Sequence, residues 1–239
     1  MIDAVNLAKR FGPTIAVDDV SFSIGKGEVV GFLGPNGAGK STTMRILSGF
    51  LVPDRGRARI AGYDVAQQTT AAQSSLGYMP EAAVGFGNLT AREFLLYCAQ
   101  ARGMSGSSAR DAITSVAQRT ALQPALDEEM RKLSKGWRQR AWFAQAVLHD
   151  PPVLVLDEPT DGLDPGQKAH VRSFVREIAS GKAIILSTHI LEEAEELCDR
   201  VIIISAGKIV ADAPTASLLD GKGRLAPTFA DLTETRPAA

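Results

Sequence analysis

Apolar residues along the chain alternate between the spacing of strands and the spacing of helices. Short runs rich in Val, Ile and Leu at positions 29–33, 153–156 and 183–186 predict strands that are buried on both faces. Apolar residues at helical spacing follow each run, at positions 44–47, 167–179 and 191–197. This alternation predicts an α/β fold with a mainly parallel sheet.

The remaining strand-like segments are short and bounded by turn residues. Residues 2–9 and 17–24 flank the turn Gly12-Pro13, which predicts an antiparallel hairpin at the start of the chain. Further strands are predicted at residues 57–62, 76–79, 201–205 and 208–211. The last two of these flank Ala206-Gly207 and predict a closing hairpin.

Between residues 82 and 150 the pattern is helical. A helix is predicted at 91–101, a second is capped by Ser107 or Ser108 and runs through Leu122, and a third covers 138–148. We therefore predict three parts. They are a catalytic core that includes the antiparallel β part (1–81 and 151–212), a helical subdomain (82–150) and a C-terminal tail with weak helical stretches (213–239).

Composition narrows the functional classes. The 239 residues include 26 basic and 27 acidic side chains, so the chain has almost no net charge. A nucleic acid is therefore not expected as its main partner. Cys98 and Cys198 lie far apart in helical contexts, which favours a reduced, cytoplasmic chain. The first ten residues lack the pattern of a secretion signal, and no apolar run approaches the ~20 residues of a membrane span. We expect any membrane role to require another chain.

The most informative segment is residues 34–42, Gly-Pro-Asn-Gly-Ala-Gly-Lys-Ser-Thr, between a predicted strand and a predicted helix. Its glycines allow backbone N–H groups to surround a polyphosphate, and the helix start adds further N–H groups and the positive end of its dipole. Lys40 can reach the β- and γ-phosphates, and the Ser41 hydroxyl can bind Mg²⁺. The alternative is a glycine-rich turn with a surface lysine.

Two acids follow the buried strand at 153–156. Asp157 and Glu158 lie at the carboxyl end of that strand, where α/β sheets bind their ligands. Asp157 can hold Mg²⁺ through water, and Glu158 can accept a proton from an attacking water molecule. The alternative is a solvated pair of acids at a strand end.

Three other residues have a functional and a purely structural interpretation. Phe11, upstream of the glycine loop, can stack on a purine ring or belong to the core of the hairpin. Ser134, with Gly136, can form a second anion site at a helix start or act as an ordinary N-cap. His189 lies at a strand-to-helix junction, where a histidine is either functional or structural.

Five motifs in order resemble those of the ATP-binding subunit of ABC transporters, over nearly the whole chain. Residues 34–42 resemble the family's Walker A loop, and residues 153–158 its Walker B strand with the adjacent catalytic glutamate. Residues 159–164 resemble the D-loop, 187–189 the switch histidine, and 133–137 the LSGGQ signature. The resemblance implies a P-loop NTPase fold that hydrolyses ATP with Mg²⁺.

The resemblance also implies roles for individual residues. Glu158 and His189 correspond to catalytic residues, and Ser41, Asp157 and Glu81 to metal-binding positions. The positions that correspond to nucleotide-binding residues are Phe11, Asn36, Gly37, Ala38, Gly39, Lys40, Ser41, Thr42, Ser134, Gly136 and Asp164. Three positions depart from the family pattern: Lys135 replaces a glycine, Trp137 replaces a glutamine, and Glu81 replaces the glutamine of the Q-loop.

In the family, two such subunits meet head to tail, and each ATP lies between the Walker A loop of one and the signature of the other. The resemblance therefore implies a second ATP-binding subunit, either another copy or a paralogue, and a membrane permease on a separate chain. The chain would be peripheral, at the cytoplasmic face of the membrane. The departures, residues 138–140 and the short tail around residues 228–234 are similar to those of the multidrug, polysaccharide or ion export type. The competing class is a soluble ABC ATPase that acts in translation, cluster assembly or DNA maintenance.

Overall fold

The structure is a computed structural model that describes residues 1–81 and 84–234. The first two residues of the predicted helical region and the last five of the predicted tail lie outside the described residues. The strands are β1 (Ile2–Phe11), β2 (Thr14–Ile24), β3 (Val29–Leu33), β4 (Arg55–Ile60), β5 (Tyr63–Asp64), β6 (Leu76–Met79), β7 (Val153–Asp157), β8 (Ala183–Thr188), β9 (Arg200–Ser205) and β10 (Lys208–Pro214). The helices are α1 (Lys40–Leu47), α2 (Thr69–Ser74), α3 (Ala91–Ala101), α4 (Gly106–Arg119), α5 (Lys135–Val147), α6 (Pro165–Ala179), α7 (Leu191–Leu197), α8 (Thr215–Leu218) and α9 (Ala226–Glu234).

The strands form two sheets in the described part of the chain. One has the order β2-β1-β4-β5 and is antiparallel. The other has the order β10-β9-β3-β8-β7-β6, in which all neighbours are parallel except β10 and β9. The central strands β3, β7 and β8 are buried at every position, as their apolar runs predict. The predicted α/β fold with an antiparallel N-terminal sheet is confirmed.

The parallel sheet separates two apolar clusters, because successive side chains of a strand lie on opposite faces. On one face, Phe32 and Val155 pack with α1 and the antiparallel sheet. On the other face, Leu154 and Leu186 pack with α5, α6 and α7. Burial of each such side chain stabilises the fold by about 1.5–3 kcal/mol. The sheet is therefore held in place from both sides.

A third cluster lies within the helical region and includes Phe94, Ile113 and Ala144. Helix α5 contributes Ala141 and Ala144 to this cluster. It contributes Phe143 and Ala146 to the cluster that includes Leu154 and Leu186 of the sheet. Helix α5 thus packs on both the helical region and the parallel sheet.

Some element boundaries differ from the predicted ones. Helix α4 begins after Ser105 rather than after Ser107 or Ser108, and it ends at Arg119, because Ala121 has a left-handed φ of 51°. Helix α5 begins at Lys135, three residues earlier than predicted, so Gly136 lies in its first turn. Strand β5, helix α2 and a 3-10 turn at Gln123–Ala125 were not predicted, because they are too short to show a periodic pattern.

The segment that follows β10 packs against the sheet. Leu225 is fully buried in the cluster formed with α5, α6 and α7, and Phe229 and Leu232 of α9 pack on the same cluster. No helix among the described residues has the length and apolar character needed to cross a bilayer.

Candidate functional site

The glycine loop between β3 and α1 is shaped by close backbone contacts. A Cβ atom at Gly34 would lie 2.3 Å from the carbonyl oxygen of Ile204, so only glycine fits there. Gly39, with φ of 110°, directly precedes α1, and a Cβ atom there would meet the carbonyl oxygen of Ala16 at 2.3 Å. The loop is therefore fixed against β2 and β9, with the free N–H groups at the start of α1 beside it.

Lys40 is the first residue of α1 and is only 8% exposed. Its ammonium group donates to the carbonyl oxygens of Gly34 and Pro35 at 2.7 and 3.2 Å. A buried ammonium needs such partners, because an unpaired charge is costly away from water. The side chain is therefore held within the glycine loop, in position to meet an anion.

The loop borders a cavity of about 280 Å³. Its lining consists of Ala16, Asn36, Gly37, Gly39, Lys40, Ser41, Thr42, Glu81 and Glu158. The fold thus brings most of the predicted nucleotide-binding residues together with the predicted residues Glu81 and Glu158. Ala16 was not predicted from the sequence, because no motif marks it and only the packing of β2 on the loop places it here.

Three oxygen-bearing side chains meet at the start of α1. The Ser41 hydroxyl lies 3.2 Å from Glu81 Oε2 and 3.4 Å from Asp157 Oδ1. Asp157 is 1% exposed and also accepts a hydrogen bond from the Ser187 hydroxyl. The pKa of the Asp157 carboxyl is raised above its usual value, mainly because the group is buried. The charge of Glu81 adds to the rise, and the hydrogen bonds from Ser187 and Ser41 oppose it.

This oxygen set fits the chemistry of Mg²⁺. That ion prefers oxygen ligands and is commonly held by one or two carboxylates together with substrate phosphates and water. Ser41, Glu81 and Asp157 supply a hydroxyl and two carboxylates beside the glycine loop. The two carboxylates bring negative charge together at this point, and a bound cation would neutralise it.

Glu158 follows β7 directly and contacts His189, which follows β8 directly. Its Oε2 atom lies 2.9 Å from His189 Nδ1. The pKa of the Glu158 carboxyl is raised above its usual value, mainly because the group is buried. The charge of His189 and its hydrogen bond oppose this rise. Glu158 is 8% exposed and also lines the cavity. The predicted base and the predicted switch histidine are therefore adjacent.

The signature segment lies at the start of α5, outside the lining of the cavity. Ser134 is exposed and caps α5, with its hydroxyl oxygen 3.4 Å from the backbone nitrogen of Trp137. Both sequence interpretations of Ser134 thus remain compatible with its position, since a capping hydroxyl at a helix start also lies beside free N–H groups.

The loop at residues 161–164 packs against this segment. Lys135 pairs with Asp161 at 2.6 Å, and its aliphatic chain covers Gly162, where a Cβ atom would lie 2.5 Å from Lys135 Cδ. Asp164 caps α6 by accepting a hydrogen bond from the backbone N–H of Gln167 at 2.9 Å. Lys135, which replaces the family's glycine, therefore connects the signature segment to the D-loop of the same chain.

Phe11 ends β1 and lies outside the lining of the cavity. It is 50% exposed, which rules out the interpretation as a core residue of the hairpin. The Lys9 ammonium lies 5.8 Å from the centre of its ring. An exposed aromatic face remains available for stacking.

Comparison with known proteins identifies the family. A family model described as ABC transporter matches residues 17–161. The Nod factor export ATP-binding protein I of Bradyrhizobium diazoefficiens is 40% identical over 228 residues, which cover 92% of this chain and 72% of the relative.

Solved structures show the same relationship. The structure of an ATP-binding subunit of an ABC transporter has a TM-score of 0.88 and 31% identity, and the match covers 97% of this chain and 99% of the other. The fold also matches the dimeric structure of a bacterial ABC transporter cassette, with a TM-score of 0.84, 24% identity, and coverage of 90% and 98%. The chain belongs to the ABC transporter family, as an ATP-binding subunit.

Proposed function

We propose that this chain hydrolyses ATP to drive export through a separate membrane permease. The observation that carries the proposal is the arrangement of the glycine loop, Glu81 and Glu158 around one cavity, with His189 in contact with Glu158. The arrangement supports the proposal because phosphoryl transfer to water requires a carboxylate base close to the loop that binds the phosphates.

The chain's own residues divide the work of hydrolysis. The glycine loop and Lys40 bind the phosphates of ATP, and their positive charge stabilises the negative charge that develops on the transferred group. Glu158 orients the attacking water and takes up its proton. His189 holds the Glu158 carboxylate and contacts the γ-phosphate.

Mg²⁺ is the proposed cofactor. Ser41, Glu81 and Asp157 are the residues that would hold it, Asp157 through water. When bound, the ion neutralises phosphate charge and orients the leaving group. Glu81 in place of the family's glutamine adds a second carboxylate to this set.

The second half of each ATP site is proposed to come from another ATP-binding subunit. Ser134 is exposed at the start of a 13-residue helix, where a hydroxyl and free N–H groups suit a phosphate. A γ-phosphate bound on one side by the glycine loop and on the other by a partner's signature segment binds best in the closed dimer. ATP then shifts the equilibrium towards closure, and hydrolysis reverses the shift.

Export and peripheral attachment at the cytoplasmic face of the membrane are proposed by similarity. The relative from Bradyrhizobium diazoefficiens is named for the export of Nod factor and for ATP binding. An ATP-binding chain of this kind transmits force only through contact with a permease. The permease, rather than this chain, then selects the transported molecule.

Affinity purification from solubilised membranes tests the proposal. The chain carries an affinity tag and is expressed at its native level, and Lys40→Ala serves as a variant with impaired nucleotide binding. We expect a polytopic membrane protein to co-purify with the wild-type chain, and ATPase activity in that complex. Recovery with ribosomes, DNA or cluster-assembly proteins, and with no membrane protein, would contradict the transport role and favour the soluble class.

A further inference from the structure

Gln139 is a buried polar residue of α5 that the proposed mechanism does not use. It is 2% exposed, and its side-chain Nε2 donates to the backbone carbonyl oxygen of Glu158 at 2.8 Å. A buried amide needs a partner of this kind, because leaving it unpaired is costly. The bond joins the helical region directly to the backbone of the proposed catalytic base.

The backbone of Glu158 has an unusual conformation at this point. Its φ angle is 51°, in the left-handed region that side-chain-bearing residues rarely occupy. Its N–H group bonds to the Ser187 hydroxyl at 3.0 Å and lies 3.2 Å from the Ser187 carbonyl oxygen. Its carbonyl oxygen accepts from Gln139 and, at 3.2 Å, from the backbone N–H of Asp161. Such conformations persist only when surrounding contacts hold them.

The bond from Gln139 is the contact that comes from a different part of the fold. Ser187 belongs to β8, next to β7 in the sheet, and Asp161 lies in the turn that follows Glu158. Gln139 belongs to α5, whose first residue directly follows Ser134. A shift of α5 relative to the sheet therefore acts on the peptide that sets the direction of the Glu158 side chain.

We propose that Gln139 is a positioning residue for Glu158 and that it acts on the site of its own chain. The inference rests on the proposed function, because it takes Glu158 as the base. The hydrogen bond holds the left-handed backbone of Glu158, and this backbone in turn keeps the carboxylate between the cavity and His189. The Gln139 side chain touches neither nucleotide nor water in this scheme.

The first test compares two substitutions on the same helix. Gln139→Met keeps the unbranched shape of the side chain and removes the donor. The matched control is Gln145→Met, because Gln145 Nε2 also donates to a backbone carbonyl, that of Tyr78, at 2.6 Å. We expect Gln139→Met to lower kcat by on the order of tenfold to a hundredfold, as misplacement of a reacting group does. Its KM for ATP should stay within about twofold of the wild type, because the glycine loop is unchanged.

The control separates positioning from general packing. Gln145→Met should lower the thermal midpoint about as much as Gln139→Met and leave kcat unchanged. If the two variants lose stability and kcat in parallel, Gln139 has only a packing role and the inference is wrong. If Gln139→Met does not fold, Gln139→Asn replaces it, since its shorter side chain cannot make the bond from the same backbone position.

The second test uses mixed dimers with one active site, made from two differently tagged copies. One copy carries Glu158→Gln, so hydrolysis occurs only at the Glu158 of the other copy. Gln139→Met is placed either in the active copy or in the inactive one, whose Ser134 faces the active site. We expect the loss of kcat only when Gln139→Met is in the active copy. A loss only from the inactive copy would show that Gln139 supports the signature segment instead, and would overturn the inference.

The two proposals fail in different ways. If the wild-type chain neither binds nor hydrolyses ATP, the proposed function is wrong. If the wild type hydrolyses ATP and Gln139→Met retains its kcat, the proposed function stands and the inference on Gln139 is wrong.

Discussion

The glycine-loop site and the signature segment are both predicted to bind ATP, yet they differ in how the chain completes them. Around the glycine loop, Lys40, Asp157 and Glu158 are buried and bonded to other parts of the same chain. In the signature segment, Ser134 and Lys135 are exposed, and Lys135 forms a surface ion pair. The difference supports the proposal that one folded chain prepares one half of an ATP site by itself, and that its signature segment acts only on nucleotide bound by a partner subunit.

Glu158→Gln gives the largest expected effect, because it removes the proposed base from the glycine-loop half and keeps the shape of the side chain. Steady-state ATPase rates should fall by roughly 10²- to 10⁴-fold, the range that general-base catalysis contributes. ATP affinity should stay close to the wild-type value. Glu177→Gln, on the exposed surface of α6, is the control and should retain full activity. Unchanged turnover in Glu158→Gln would mean that another group acts as the base.

Lys40→Ala tests the binding function of the same half. In the proposed site, the Lys40 ammonium donates charge-assisted hydrogen bonds to the phosphates of ATP, each worth about 1.5–3 kcal/mol. Calorimetric titration should show the Kd for ATP rising by roughly tenfold to a hundredfold. Lys132→Ala, which removes a surface ammonium paired with Glu129, should bind ATP as the wild type does. Equal affinities for the wild type and Lys40→Ala would remove Lys40 from the phosphate site.

Ser134→Ala tests the signature half separately. The Kd of the monomer for ATP should not change, because Ser134 does not line the cavity. The ATPase rate of the dimer should fall by about tenfold, equivalent to one lost hydrogen bond to a charged group. Ser134→Thr keeps the hydroxyl and should retain most of the rate. A weaker ATP affinity of the Ser134→Ala monomer would contradict the division into two halves.

His189→Ala should change the pH dependence of hydrolysis as well as its rate. His189 lowers the pKa of the Glu158 carboxyl, so its removal should raise that pKa. The base must be ionised to act, so the rate falls as the pH drops through this pKa. The acid limb of the kcat profile should therefore move to higher pH in His189→Ala. An unmoved limb would show that His189 does not influence the base.

The sequence predicts the glycine-loop half better than its surroundings. The buried strands and the helix after the loop are predictable because an apolar run and a glycine pattern are local signals, and the structure confirms these elements. Phosphate binding by the loop stays a prediction. Ala16 and Gln139 are not predictable in the same way, since their contacts depend on elements far away in the sequence. The predicted cap of α4, Ser107 or Ser108, was wrong, because the helix begins after Ser105 and closely spaced serines are equally suitable caps.

Association of the chain in the presence of ATP tests the central claim most directly. Sedimentation velocity of Glu158→Gln with Mg²⁺ and ATP should show a species of twice the mass of the chain. With Mg²⁺ and ADP, the same variant should sediment as a monomer. Adding Ser134→Ala to the same variant should weaken the dimer. A monomer at all ATP concentrations, or a dimer that forms equally well without nucleotide, would contradict the account.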